Sequence, residues 1–188
     1  MFSDARTPGV DVICPDIEYL MDDIEQGGGE LLGLILTHGH EDHIGAVAHL
    51  WPFLKCPIYA TPFTAELVNR KLEEAMIVSA QMNIVPMGGT LELGPFSLEY
   101  VTLTHSIPEP NGIILRTEFG TVLHTGDWKI DPQPTLGPKT DKSTLEELGK
   151  EGVLAMICDS TNVLSQGHSE SEGKVSKSLE IDAMGVNL

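Results

Sequence analysis

Between Leu31 and Leu50 the chain passes from an aliphatic run, through a six-residue polar cluster, into a helical pattern. That cluster restricts the fold more than any other feature of the sequence. Leu31-Leu32-Gly33-Leu34-Ile35-Leu36 is short, continuous and aliphatic, the pattern of a buried strand. Ile44 to Leu50 has helical character and is expected to stop at Pro52, which lacks an N–H and crowds the preceding turn. His38, His40, Asp42 and His43 therefore lie at a strand-to-helix junction. In extended backbone His38 and His40 share a face, because side chains alternate with period two. Asp42 and His43 follow where the chain turns, so they point back at the same volume. Imidazole nitrogens and carboxylate oxygens are the donors that a borderline-soft divalent metal such as zinc accepts. The four groups begin two neighbouring sites, His38 with His40 and Asp42 with His43. The alternative is a solvated polar loop, but chance seldom places metal ligands at this spacing.

Length and composition narrow the classes further. The 188 residues allow one domain, and no stretch approaches the roughly 18 uninterrupted apolar residues of a membrane span. Met1 to Arg6 lacks the basic start and apolar core of a secretory signal. Cys14, Cys56 and Cys158 are widely spaced, odd in number and each next to apolar residues, which reads as reduced core thiols in a cytoplasmic protein. A metal role for Cys158, beside Asp159, is the lesser alternative. The balance of 11 basic against 28 acidic residues gives a net charge of −17. That sign opposes a surface that neutralises nucleic-acid phosphates. Either the substrate is not a polyanion, or metals and further basic segments do the electrostatic work.

Taken in order, Arg6 to Gly9 is a turn, Val10 to Pro15 an extended piece, and Ile17 to Ile24 one or two helical turns closed by Gly27-Gly28-Gly29. Cys56 to Ala60 is a strand, and Thr61-Pro62 caps a helix that runs to about Glu74, with Phe63, Leu67 and Val68 or Leu72 facing inward. A β-rich half follows: 83–86, 90–93 and 96–104, then a hairpin of 112–118 and 121–124 around Phe119-Gly120. After a proline-rich loop over 131–142, Ser143 caps a short helix, Val153 to Cys158 is a buried strand, and helical character returns from about Ser169.

Two further clusters carry chemistry. The strand ending at Leu103 leads into Thr104-His105-Ser106-Ile107-Pro108-Glu109, which frees His105 to ligate, although alone it reads as a hydrogen-bonded loop histidine. The strand Thr121-Val122-Leu123 leads into His124-Thr125-Gly126-Asp127. An aspartate after glycine at a strand end can approach a metal closely, and one carboxylate can bridge two cations roughly 3.5–4 Å apart. His49, His124 and His168 default to structural roles.

His-x-His-x-Asp-His after a strand, followed by a strand-end histidine and a strand-end aspartate, resembles the metallo-β-lactamase fold. The resemblance implies an α/β (α+β) αββα sandwich with a binuclear centre. It implies His38, His40 and His105 on one metal, Asp42 and His43 on the other, and Asp127 bridging. The two divalent metals are expected to be zinc, with manganese the alternative. The flanking segments are similar to the ribonuclease J group of β-CASP nucleases: 36–46, Leu50-Trp51-Pro52, 56–64, 105–109, 124–131 and Cys158-Asp159-Ser160-Thr161-Asn162. In that family the acidic residue at Asp159 opens the β-CASP motif set, where a non-ligand carboxylate orients a histidine and helps move a proton. Its alternative is a turn residue starting Asp-Ser-Thr-Asn. The implied reaction is hydrolysis of RNA phosphodiester bonds by a metal-activated water, with Asp42 and Asp159 as catalytic carboxylates.

Relative to that family, residues 1–188 read as one incomplete metallo-β-lactamase-like domain. The opening strands are missing, and the β-CASP insertion begins near 165–188. The last ligand of the second metal has no counterpart, His168 being misplaced for it. Uncovered apolar faces then imply a homo-oligomer. Two other readings stay open: a small-molecule hydrolase of the same fold acting on a lactam, lactone or thioester, and an inactive metal-binding form.

Overall fold

The computed structural model describes residues 13–185, so the turn at 6–9 and the start of the extended piece at 10–12 lie outside the described residues. The chain divides into two compact units, one ending at Pro86 and the other beginning at Met87. Among the described residues no helix is long and apolar enough to cross a membrane.

The first unit carries α1 (Glu18–Gly27), β1 (Leu34–Ile35), α2 (Glu41–Ile44), α3 (Val47–Leu54), β2 (Ile58–Ala60), α4 (Pro62–Glu74) and β3 (Met82–Ile84). Its three strands lie parallel in the order β1-β2-β3. Parallel neighbours need crossovers, and the helices between the strands supply them. β2 is central, and Ile58 and Ala60 are fully buried there. Leu36, Ile44, Val47, Trp51, Ala65, Val68 and Leu72 complete the core. The aliphatic run before the histidines is mostly irregular, yet Leu34 N–H to Pro57 O at 2.8 Å and Leu36 N–H to Tyr59 O at 2.9 Å stitch its end to β2.

α4 starts where Thr61-Pro62 sets it, because proline's fixed φ suits the first helical position. Its inner face is Thr64, Ala65, Val68 and Leu72, whereas Phe63 and Leu67 are only half-buried. Pro52 does not end α3 but lies inside it. Proline removes only its own N–H bond and strains one turn, so two more residues complete the helix before Lys55 takes the left-handed conformation.

The second unit carries β4 (Thr90–Leu93), β5 (Phe96–Thr102), β6 (Asn111–Thr117), β7 (Gly120–His124), α5 (Lys142–Glu151), β8 (Ala155–Ile157) and α6 (Glu172–Gly185). The sheet runs β4-β5-β6-β7-β8, antiparallel as far as β7, with β8 parallel to β7. α5 is the crossover that this parallel step requires, and its Leu145 and Leu148 pack on Val101, Ile114 and Leu123. The α5 cap is Asp141 rather than Ser143: the Asp141 carboxylate accepts the Thr144 N–H at 3.1 Å. β8 is exposed along its length instead of buried, being one of the two edge strands of this sheet. Consequently Cys158 is exposed and is not a core thiol, while Cys56 is buried and Cys14 half-buried. Burial pushes the Cys56 thiol up, against a smaller downward effect of its own backbone, as befits an inert packing group.

Candidate metal centre

In the first unit, the turn from β1 into α2 gathers three imidazoles. His38 is fully buried just past the strand, and its Nδ1 lies 3.0 Å from the Thr37 hydroxyl. When Nδ1–H donates to Thr37, Nε2 carries the lone pair, the tautomer that can ligate a metal. His40 stands at the cap of α2 in extended backbone (φ −67°, ψ 148°), and its carbonyl accepts the His43 and Ile44 N–H groups at 3.0 Å. Extended backbone at 38–40 sends both side chains to one side, and the helical turn brings His43 back over them. The ring centroids of His38 and His40 are 5.0 Å apart, edge to face, and those of His38 and His43 are 4.1 Å apart. Asp42 Oδ2 lies 3.7 Å from His43 Nε2, on the exposed side of the turn. Three imidazoles and a carboxylate this close form a donor set of the kind divalent metals take.

In the second unit, His105 and Asp127 stand on loops that leave β5 and β7, the two strands flanking β6, with His105 Nε2 3.7 Å from Asp127 Oδ2. Gly126, at φ 58°, makes the sharp turn that presents Asp127, a conformation that favours glycine. His124 has the structural role expected of it: its Nδ1 accepts the Gly126 N–H at 3.0 Å. Asp159 lies with them. Its Oδ1 accepts the Thr161 N–H and hydroxyl at 2.8 and 2.7 Å, which is the Asp-Ser-Thr-Asn turn. The Thr161 N–H, then the Thr161 hydroxyl, hold its carboxyl below the usual range; burial opposes them, and the Trp128 N–H and His105 add smaller downward effects. Asp159 therefore serves its own turn, and its N–H also donates to the hydroxyl of Thr125, two residues before Asp127, at 3.1 Å.

Three residues that sequence reading leaves without a role tie these loops together. Thr104 and Lys129 form an antiparallel bridge. Asp131, only 3% exposed, receives Lys129 Nζ at 3.0 Å and the N–H groups of Gln133 and Glu172, each at 2.8 Å. Burial raises the Asp131 carboxyl, but those two backbone donors and the lysine together bring it below the usual range. The signal in the sequence was slight: a threonine at a strand end and an aspartate four residues after Asp127.

The sequence matches the Metallo-beta-lactamase superfamily over residues 9–168, and the chain belongs to that superfamily. The crystal structure of a protein of unknown function from Enterococcus faecalis V583 shares the fold, with TM-score 0.58 and 16% identity over 92% of this chain and 48% of that one. More specifically, the chain is 48% identical to Ribonuclease J of Sinorhizobium meliloti over 179 residues, or 95% of this chain and 31% of that protein. It is 35% identical to Ribonuclease J of Thermus thermophilus, over 95% of this chain and 32% of that protein. The chain thus spans about a third of the length of these relatives.

Proposed function

We propose that this chain carries the metal centre of a ribonuclease J-type phosphodiesterase whose substrate is RNA. The observation that carries the reading is the imidazole cluster of His38, His40 and His43, in a chain 48% identical to a Ribonuclease J. In this reading His38, His40 and His105 would hold one divalent ion, Asp42 and His43 a second, and Asp127 would serve both. The nitrogen-rich donor set favours zinc, with manganese the alternative. A bound pair supplies acidity to a water molecule and positive charge for the phosphoryl oxygens. Asp42, more than half exposed at the first turn of α2, would both ligate the metal and accept a hydrogen bond from an incoming water. Thr37 orients His38, and Asp159 steadies the backbone behind Asp127. The depressed Asp159 carboxyl favours this holding role over proton donation near neutral pH. Three unbridged cysteines support a reduced, cytoplasmic setting.

The net charge of −17 favours the second reading, a small uncharged substrate on the same centre. Elemental analysis comes first, with about two zinc equivalents expected and His40→Ala retaining fewer. Cleavage of a 5′-monophosphorylated RNA is then compared with hydrolysis of a lactam and a thioester. RNA cleavage lost in His40→Ala supports the proposal. Equal RNA cleavage by His40→Ala and the unaltered chain overturns it, and lactam or thioester turnover without RNA cleavage selects the second reading.

A further inference from the structure

We propose that Thr104 and Asp131 form a clasp that sets the spacing of the His105 and Asp127 loops, making both of them positioning residues for the metal centre. The inference rests on the reading of His105 and Asp127 as ligands, and on geometry that lies wholly within the second unit. Thr104 immediately precedes His105, and Lys129 is two residues after Asp127. The Lys129 N–H donates to Thr104 O at 2.9 Å, and the Thr104 hydroxyl donates to Lys129 O. The same hydroxyl accepts the Asp131 N–H at 3.0 Å and lies 3.1 Å from the Thr140 hydroxyl. A hydroxyl has one proton and two lone pairs. Its proton being committed to Lys129, Thr140 must be the donor in the last bond, and the hydroxyl of Thr104 is fully used. One buried atom thus joins the β5 end, the loop behind Asp127 and the approach to α5.

Asp131 completes the clasp from the other side. Its carboxylate draws Lys129 Nζ to 3.0 Å, and its two oxygens separately accept the Gln133 and Glu172 N–H groups. The lysine that bridges to Thr104 is thereby held at both its backbone and its side chain. Neither Thr104 nor Asp131 contributes to the proposed ligand set; each acts through the loop it fastens. Residues that orient ligands from behind typically change metal affinity by about 10–100-fold when removed.

The test uses Thr104→Val, which keeps the side-chain shape and removes all three hydroxyl bonds, with Thr104→Ser as the variant that keeps them. Zinc affinity is measured by competition with a chromophoric chelator, cobalt substitution reports ligand geometry through its visible bands, and thermal melts of the metal-free chain report folding. The expected result is a loss of zinc affinity of about 10–100-fold and altered cobalt bands in Thr104→Val. Thr104→Ser should match the unaltered chain. His105→Ala separates the two levels of the proposal. If it loses affinity while Thr104→Val does not, the clasp is refuted and the ligand reading stands; if neither loses affinity, both fall. Should Thr104→Val fail to fold, Asp131→Asn is measured in its place, and unchanged affinity there refutes the clasp.

Discussion

Asp159 Oδ1 accepts two groups, the N–H and the hydroxyl of Thr161, while its own N–H donates to the Thr125 hydroxyl at 3.1 Å. Both Thr161 donors favour the carboxylate over the acid. The folded value is therefore below the unfolded one, near ~4 for aspartate. The stability Asp159 contributes is complete above that unfolded value and is lost as pH falls through the depressed folded one. Melting temperatures of the unaltered chain and Asp159→Asn should differ most from about pH 5 upward and converge on acidification below about 4. A gap that persists in acid would locate the effect elsewhere. Gly126 gives a second case. At φ 58° an alanine costs roughly 1–2 kcal/mol, so Gly126→Ala should lower the urea midpoint by that equivalent, and Gly126→Asn by less. The glycine before Asp127 was readable in the sequence because its conformational demand is local. Thr104 was not: a β-branched residue at a strand end resembles strand filler, and its value lies in bonds to residues up to 36 positions away.

α5 shows the same division at the level of an element. Its place and helical character follow from local preference, and Ser143 looked like the cap because serine commonly precedes a helix. In the structure Asp141 caps instead, taking the Thr144 N–H at 3.1 Å and the Ser143 and Thr144 hydroxyls at 2.7 Å. A carboxylate also favours the positive end of the helix dipole. Its hydrogen bonds, that from the Ser143 hydroxyl foremost, lower its pKa. Asp141→Ala should cost ~1 kcal/mol in chemical denaturation, and Ser143→Ala clearly less. The reverse order would return the cap to Ser143. β8 fails for a different reason. An apolar run marks a strand, but its burial depends on what lies beside it in the sheet, which periodicity does not encode. The clustering of the His38, His40 and His43 rings was readable because strand alternation and one helical turn are both local rules.

Taken as a whole molecule, the described chain combines a strongly acidic surface with an apolar edge. β8 is an edge strand of its sheet, and Leu154, Met156 and Ile157 are 68%, 57% and 56% exposed. Unpaired strand edges with apolar side chains recruit another chain. Two copies each carrying −17 repel, however, and the repulsion reaches ~30 Å at 0.01 M salt but only ~8 Å at 0.15 M. The homo-oligomer proposed from the sequence should therefore form as salt is added. Sedimentation velocity at fixed protein concentration should find monomer at low ionic strength and dimer or larger species near 0.5 M. Leu154→Lys and Ile157→Lys should suppress the larger species without moving zinc content, because neither residue is among the proposed ligands. Association that weakens with salt would point instead to ion pairs between copies, and it would remove β8 as the contact.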